Sequence, residues 1–377
     1  MSWLLAIGGF AALVVLHEAG HFTAAKMVGM RVEKFFLFFP PRVASVKRGE
    51  TEYGIGAIPL GGYVKITGMN PEEEIPPEVV ERAYYRQPVW KRIFVIAAGP
   101  AINIVLALVM FFFLAVGFGL DGDVTNRVGT VSSDLPAAGQ LQEGDQLISV
   151  DGRDVSDLTN VQLANTVRRQ VNTHSCAGEP TDGCKATTPV TLRVLRDGEP
   201  VTLKVTPVYE VPEDIPGTDA DESQDARMVI GFGYEAERER TSLGEGIDFS
   251  LDRAWFITST TADVLAHIFE KDQREQISGV VGNTEITKQS FDTDTRQAFL
   301  VLAVISLSLG VINLLPFLPL DGGHIFWAIV EKVRGRPVSL VVMERSGLIG
   351  FALVMVLFLI GLQNDIDRLG DGGFGTR

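Results

Sequence analysis

The chain has 377 residues, of which 46% are hydrophobic, and it carries a formal net charge of −14 at pH 7. Such an apolar composition with so large a charge is unusual for one water-soluble domain and indicates that part of the chain lies in lipid. The charge is concentrated in residues 120–295, which hold 15 basic and 32 acidic residues. The acidic balance argues against a nucleic-acid-binding protein, and two cysteines are too few for a disulfide-rich scaffold.

Four stretches approach the roughly 20 apolar residues that a helix needs to cross a bilayer. They are residues 3–25, 94–120, 298–320 and 347–362. The first lacks the basic leader and the small-residue cleavage site of a signal peptide, so we expect it to be retained. The sequence therefore predicts a multi-pass α-helical membrane protein with four transmembrane helices.

Basic residues are concentrated in two loops next to these spans. Residues 26–92 hold 11 Lys and Arg residues, and the loop between the third and fourth spans contains Lys332, Arg334, Arg336 and Arg345. Because loops rich in Lys and Arg stay in the cytoplasm, both loops are predicted to be cytoplasmic. The acidic central segment and both chain ends then lie outside.

The first predicted span contains His17-Glu18-Ala19-Gly20-His21, a match to H-E-x-x-H. Residues four apart share one helix face, so the two imidazoles can bind one Zn²⁺ while Glu18 acts as general base on a water molecule. A chance match is the alternative. However, each ionisable side chain within an apolar span costs roughly 2.5 to 3.5 kcal/mol, and three of them together indicate function.

Between the second and third spans the sequence predicts a folded, extracytoplasmic α+β module. Alternating apolar residues predict strands and a helical period predicts one helix. The predicted strands are residues 128–132, 146–150, 190–195 and 201–205, and the helix is residues 161–171.

A Pro- and Asp-rich stretch follows, residues 210–225, which is typical of a flexible linker. Residues 243–272 are predicted to form an amphipathic helix near the outer membrane surface. The predicted domains are a membrane half over residues 1–120, the module over 127–209, the linker and amphipathic helix over 210–295, and a second membrane half over 296–377.

A catalytic zinc site has three protein ligands and an open position for water, so the two histidines require a third ligand. Asp321 is the other candidate at membrane depth, and it lies among two prolines and two glycines, residues 316–323. Those residues break helical hydrogen bonding, and unwound backbone at membrane depth lines protein or a wet cavity. An ordinary helix cap at Asp321 and a competing ligand at His324 are the alternatives.

Three motifs resemble those of the bacterial site-2 protease family, whose RseP-type members are intramembrane zinc metalloproteases with a PDZ domain. They are His17-Glu-Ala-Gly-His21, Gly99-Pro-Ala-Ile-Asn103 and Asn313-Leu-Leu-Pro-Phe-Leu-Pro-Leu-Asp321-Gly, in the family's order. The resemblance covers nearly the whole chain. For the second motif, a structural role of its small residues in close helix packing is at least as well supported as direct chemistry.

The resemblance implies a role for each residue of the first and third motifs. His17, His21 and Asp321 would bind Zn²⁺, and Glu18 would be the catalytic base. Asn313 would hydrogen-bond the substrate or the developing oxyanion.

The resemblance also implies that residues 51–65 form a β-hairpin that dips into the membrane and that the outer module is PDZ-like. Residues 53–66 alternate and are rich in glycine, as a strand pair with close backbone approach would be; a surface hairpin is the alternative. A free strand edge there would hold an extended substrate by β-augmentation. Gly61, Gly62 and Tyr63 are the candidate substrate-binding residues. A PDZ-like module would either bind a chain end or exclude bulky substrates.

The module departs from the family pattern in an insertion, residues 174–184, which contains both cysteines. An oxidising exterior favours a disulfide between Cys176 and Cys184. The alternative, a metal half-site with His174, lacks a fourth ligand.

We therefore expect a zinc-dependent endopeptidase of the cell membrane that cleaves single-pass membrane proteins in or near their transmembrane segments, with its active site toward the cytoplasm. The resemblance implies substrates already trimmed outside by a site-1-type protease, such as anti-sigma factors, or leftover signal peptides. A catalytically inactive PDZ membrane scaffold is one alternative. A metal transporter is another, since carboxylates and imidazoles within spans also form ion pathways.

Overall fold

The four predicted spans form long apolar helices in the computed structural model, which describes residues 2–70, 73–132, 134–210, 227–268, 270, 274 and 277–370. Within those residues, four helices are long and apolar enough to cross a membrane, with mean hydropathy between 1.6 and 2.6. They are Ser2–Met27, Val89–Phe118, Thr295–Asn313 and Val341–Arg368. The prediction of four long apolar helices is therefore confirmed, and these helices are consistent with a membrane protein.

Two of these helices differ from the predicted spans. The third ends at Asn313 and does not continue to residue 320, because Pro316 and Pro319 cannot donate helical hydrogen bonds. The fourth is longer than the predicted 347–362, since its helix runs over Leu340–Gly370 and includes polar residues at both ends.

By its internal contacts the chain divides into two compact units. One unit contains the described residues up to Gly117 and those from Ser242 onward, and the other contains Phe118–Thr241. The first unit contains α1 (Ser2–Met27), β1 (Val32–Arg48), β2 (Thr51–Ile66), α2 (Val89–Phe113), α4 (Leu243–Ala266), α5 (Val280–Thr293), α6 (Thr295–Asn313), α7 (Asp321–Arg334) and α8 (Leu340–Gly370).

Small residues let α2 pack closely against its neighbours. Gly20 of α1 lies against the Ala98 backbone, where a Cβ atom would lie 2.5 Å from the carbonyl oxygen. On the other side, the Ser306 hydroxyl of α6 donates to the Asn103 carbonyl at 2.9 Å. Gly310, one turn further along α6, packs on Pro100 and Asn103. Small residues at these contacts let the apolar helices approach each other closely, as is typical of helix packing in membranes.

The chain between α6 and α7 is irregular and reverses tightly. A Cβ atom on Gly322 or Gly323 would overlap backbone atoms of residues 314–318, so both positions require glycine. The turn makes Asp321 the first residue of α7, and further along that helix Glu331 forms a bidentate ion pair with Arg92 of α2.

β1 and β2 form a sheet that is larger than the predicted hairpin. Residues 34–37 of β1 pair with residues 62–65 of β2 on one side and with 52–55 on the other. Residues 42–48 pair with 51–56 and form the opposite edge. The prediction that residues 51–65 form a hairpin by themselves was therefore wrong: its two halves are separated by β1, which local alternation cannot show.

A charged cluster holds the turn between β1 and β2 against the end of α1. Arg82 donates two hydrogen bonds to the Glu50 carboxylate, at 2.7 and 2.8 Å, and Lys26 donates a third at 2.5 Å. The Arg82 guanidinium and the Lys26 ammonium lower the pKa of Glu50 to about 2. The pairs therefore stay charged at any physiological pH and fix the sheet to α1.

The second unit is a twisted sheet with one helix. Its strands and helix are β3 (Leu120–Val131), β4 (Gln146–Val150), β5 (Arg153–Asp154), α3 (Asn160–Val171), β6 (Val190–Arg196), β7 (Glu199–Val205), β8 (Val208–Glu210), β9 (Arg227–Val229) and β10 (Phe232–Glu239). The main sheet has the order β10-β3-β4-β6-β7, and β8 pairs separately with β9.

The sheet extends beyond both predicted limits of the module, residues 127–209. β3 begins at Leu120, and β10, from the region assigned to the linker, pairs with it. Most of the predicted linker, residues 211–225, lies outside the described residues. In the insertion, Cys176 and Cys184 form a disulfide, and the Cys184 carbonyl accepts a hydrogen bond from the Tyr209 amide of β8. His174 instead contacts Asp151 and Thr188.

We expect Arg196→Ala to destabilise the second unit by about 3 kcal/mol, because it leaves the buried Asp145 carboxylate without its charged partner. Burial alone would raise the pKa of Asp145, but the hydrogen bonds from Arg196 outweigh it and lower that pKa. A lowered folded-state pKa stabilises the fold above the unfolded pKa of about 3.9, and this contribution is lost as the pH falls through the folded value. The unfolding temperature of the second unit, measured between pH 7 and 3, should therefore fall in the wild type and fall less in the variant.

Candidate active site

α1 brings the three residues of the H-E-x-x-H motif to its buried side. His17 and His21 are 8% and 7% exposed, and their rings meet edge to face with centroids 4.9 Å apart. The helix forms here because the segment is apolar and unbroken by proline, and the four-residue spacing places both rings on one face. Both imidazoles therefore point into the bundle.

Asp321, at the start of α7, completes a triangle of ligand atoms. His17 Nε2 and His21 Nε2 are 3.2 Å apart, and each lies 3.2 Å from Asp321 Oδ2. These three residues are the group of potential metal ligands that the described part of the chain brings together. The third ligand inferred from the sequence thus lies beside the two histidines.

The three residues fit a zinc ion by distance and by chemistry. Nitrogen and oxygen ligands bound at 2.0 to 2.2 Å to a tetrahedral zinc lie about 3.3 Å apart, which is close to the edges of this triangle. Asp321 Oδ2 is buried and has no hydrogen-bond partner, although two ring nitrogens lie 3.2 Å away. Its lone pairs and those of the nitrogens therefore converge on a shared point, as metal ligands do.

α2 orients the His21 ring. The Val95 carbonyl lies 2.9 Å from His21 Nδ1, and since a carbonyl only accepts, Nδ1 carries the proton and Nε2 keeps its lone pair. Pro100 lacks the N–H that would bond to the Ile96 carbonyl one turn earlier. A backbone acceptor behind a metal-binding imidazole fixes its tautomer and orientation.

Close approach between α1 and α2 requires glycine at position 99. A Cβ atom there would lie 2.8 Å from His21 Cδ2 and closer still to Nε2, the ligand atom. The sequence motif that contains Gly99 and Asn103 therefore shapes the site. Asn103 is fully buried, and its Nδ2 lies 3.4 Å from His17 Nδ1. The sequence interpretation missed this contact; the signal available was an amide side chain in an otherwise apolar span.

The edge of the sheet formed by β1 and β2 lies against Glu18. A Cβ atom on Gly62 would overlap Glu18 Cγ and lie 3.2 Å from Oε1, and the Val64 backbone hydrogen-bonds the carboxylate. Residues 62–66 pair with β1 on one side and have no strand partner on the other among the described residues. A backbone edge thus borders the predicted catalytic base.

We expect Gly62→Ala to reduce cleavage at least tenfold while zinc content stays unchanged, because the new methyl group displaces Glu18 and not the metal ligands. Cleavage assays with metal analysis on the same preparation would measure both. Gly49→Ala is the control for glycine loss in this sheet, since a Cβ atom there meets open space; its positive φ predicts a small loss of stability only. Equal cleavage by Gly62→Ala and wild type would contradict the steric argument.

The other predicted site residues have different surroundings. Asn313 is half-buried, and its Nδ2 donates to the Leu309 carbonyl of its own helix at 2.9 Å. Gly61 has a φ of 128°, and the Tyr63 ring lies 5.9 Å from Phe39. His324 is not part of the group of ligand atoms. The structure therefore brings together His17, Glu18, His21 and Asp321, and it shows no contact that joins Asn313 to them.

A family model described as Peptidase family M50 matches residues 5–357. The chain belongs to peptidase family M50. Over 355 residues it is 31% identical to zinc metalloprotease Rip1 of Mycobacterium tuberculosis, with 85% of this chain and 83% of that protein covered. It is 32% identical to zinc metalloprotease Rip1 of Mycolicibacterium smegmatis (91% and 88% covered) and 28% identical to metalloprotease MmpA of Caulobacter vibrioides (95% and 93% covered). The resemblance to site-2 proteases is confirmed, and this M50 member is a metalloendopeptidase.

Proposed function

We propose that this M50 peptidase is a zinc-dependent intramembrane endopeptidase that hydrolyses peptide bonds in or near the transmembrane segments of single-pass proteins. The observation that carries the proposal is the meeting of His17, His21 and Asp321 within 3.2 Å, beside Glu18 and inside a bundle of apolar helices. The Rip1 relatives are zinc metalloproteases by name.

His17, His21 and Asp321 hold the zinc in this proposal. The bound ion supplies Lewis acidity, which lowers the pKa of water and polarises the scissile carbonyl. Glu18 accepts a proton from the attacking water and returns it to the leaving amine. Asn313 gives one N–H to the Leu309 carbonyl, and its second N–H would be the donor to the substrate or the oxyanion.

The free strand edge, residues 62–66, is proposed to bind the substrate in extended form. A peptide bond inside a helix is shielded by the helix's own hydrogen bonds, so a protease must first unwind it. An unpaired strand edge offers replacement backbone hydrogen bonds to an extended chain. Gly62 allows close approach because it lacks a side chain, and Gly61 and Tyr63 flank it.

The same reasoning supports a cell-membrane location with the site toward the cytoplasm. The last turn of α1 carries Lys26, five residues beyond His21, and the last turn of α7, which begins at Asp321, carries Lys332 and Arg334. The positive-inside rule places both of these helix ends in the cytoplasm. The second unit would then be extracytoplasmic, act as the PDZ-like module and carry its disulfide in an oxidising compartment. Proteins already shortened outside by another protease, anti-sigma factors and leftover signal peptides are the proposed substrates.

α4, inside the predicted segment 243–272, is proposed to lie at the outer membrane surface. Its three faces differ in chemistry: Gly246, Ser250 and Ile257 are buried against the bundle. Next around the helix is an exposed apolar stripe, Leu243, Ile247, Leu251 and Trp255, and beyond it an acidic face with Asp248 and Asp252. This order suits a helix that touches protein, lipid and water on successive sides.

Zinc removal tests the proposal directly. The purified chain, reconstituted in vesicles with a single-pass model substrate, should cut within or next to the transmembrane segment, as mapped by mass spectrometry. A zinc chelator should abolish the cut and stoichiometric zinc should restore it. No cleavage by the zinc-loaded protein would favour an inactive scaffold, and zinc flux into the vesicles would favour a transporter.

A further inference from the structure

Asn103 of α2 is fully buried beside His17, and its amide lacks a satisfactory hydrogen-bonding arrangement. Its Nδ2 faces His17 Nδ1 at 3.4 Å, and its Oδ1 is buried without a partner. Buried side-chain carbonyls are almost always hydrogen-bonded, so the unpartnered oxygen points to an interaction with a neighbouring donor.

The proton position on His17 identifies that donor. His17 Nε2 lies in the triangle with His21 Nε2 and Asp321 Oδ2, and as a ligand it must present a lone pair. A neutral imidazole then carries its proton on Nδ1. That N–H faces the Asn103 NH₂ group, so two donors oppose each other.

A half-turn of the Asn103 carboxamide exchanges its oxygen and nitrogen and converts this opposition into a hydrogen bond. We propose that Asn103 is a positioning residue of the metal site: its Oδ1 accepts the Nδ1 proton of His17 and fixes the tautomer whose Nε2 binds zinc. This inference rests on the metal site of the proposed function. Asn103 Oδ1 would then accept the Nδ1 proton of His17, just as the Val95 carbonyl accepts the Nδ1 proton of His21.

The surroundings hold Asn103 in place for this role. Val95, Gly99 and Asn103 follow each other at four-residue spacing, so they share the face of α2 that meets the two histidines. Gly310 of α6 leaves room for the Asn103 Cβ. One face of α2 thus supplies an acceptor to each ligating histidine.

Zinc affinity of full-length variants, measured by competition with a chelator, tests the proposal. Asn103→Ala removes the acceptor and should weaken zinc binding by about 10- to 100-fold, which is the usual cost of losing a partner behind a metal-binding histidine. Asn103→Asp keeps an oxygen in reach of Nδ1–H and should bind zinc within about threefold of wild type. The thermal unfolding midpoints of the zinc-free forms show whether either change merely unfolds the protein.

Ser306→Ala is the matched control, because it removes the hydrogen bond to the Asn103 backbone and leaves the amide side chain intact. Its zinc affinity should equal that of wild type. The proposal would be overturned if Asn103→Ala bound zinc as tightly as wild type. It would also be overturned if Asn103→Asp and Asn103→Ala lost zinc affinity to the same extent. ¹⁵N-histidine spectra of the zinc-loaded wild type that show His17 Nδ1 without a proton would overturn it as well. None of these measurements involves cleavage. A protein that binds zinc tightly but cleaves no substrate would refute the proposed function and leave the role of Asn103 standing.

Discussion

Glu18→Gln is expected to lower peptide cleavage by about 10³-fold while zinc content stays at the wild-type level. Glutamine keeps the size of the side chain but cannot take a proton from water, and general base catalysis contributes roughly 10²- to 10⁴-fold. The three ligand atoms belong to other residues, so the metal site itself is unchanged. Cleavage rates on the single-pass substrate and zinc per protein, measured on one preparation, give both quantities.

Glu78→Gln is the control for this substitution. Glu78 lies in the short 3-10 helix Pro77–Arg82 and is exposed, so losing its charge should alter neither rate nor zinc content. Cleavage by Glu18→Gln at the wild-type rate would show that another group takes the proton. Loss of zinc from Glu18→Gln would instead show that Glu18 supports the metal ligands.

Gly99→Ala is expected to abolish zinc binding, with affinity reduced by about 100-fold or more, and cleavage with it. The added Cβ would lie 2.5 Å from His21 Cε1 and closer to Nε2, so the imidazole must leave its position. Displacing a ligand should cost at least as much as losing a partner behind it, which costs 10- to 100-fold. Chelator competition measures the affinity, and thermal unfolding of the zinc-free form reports on the fold.

Gly8→Ala makes the same change at a position of α1 where a Cβ atom meets nothing within 4 Å. That variant should retain zinc and cleavage, and its helix should become slightly more stable because alanine favours helix over glycine. Full zinc affinity in Gly99→Ala would show that α1 and α2 separate easily at this point. The position of the His21 ring would then not depend on that contact.

The sequence alone predicted the features that depend on neighbouring residues. Apolar length identified four helices, because a bilayer imposes that length on any spanning helix. The spacing of His17 and His21 put two imidazoles on one face, because the helix repeat fixes it. The strands β4, β6 and β7 were predicted from short-range alternation, but the predicted module ended at residue 209 and did not include β10.

Other features depended on contacts between distant residues. Residues 34–37 separate the two halves of β2, although the sequence suggested that residues 51–65 pair with each other. Asn103 approached His17 only because Gly20 and Gly310 let α1 and α6 pack closely on α2. No local pattern encodes such a register, since it results from the fit of whole elements.

The amino-acid sequence by itself determined which side chains can bind zinc and which segments are long and apolar enough to span a membrane, because composition and helical periodicity are local properties. Only the tertiary structure decided that Asp321 lies 3.2 Å from both histidines and that a strand edge borders Glu18. Those distances arise where α1, α2 and α7 meet. Packing between residues as much as about 300 positions apart determines these distances, and no periodic pattern along the chain encodes them.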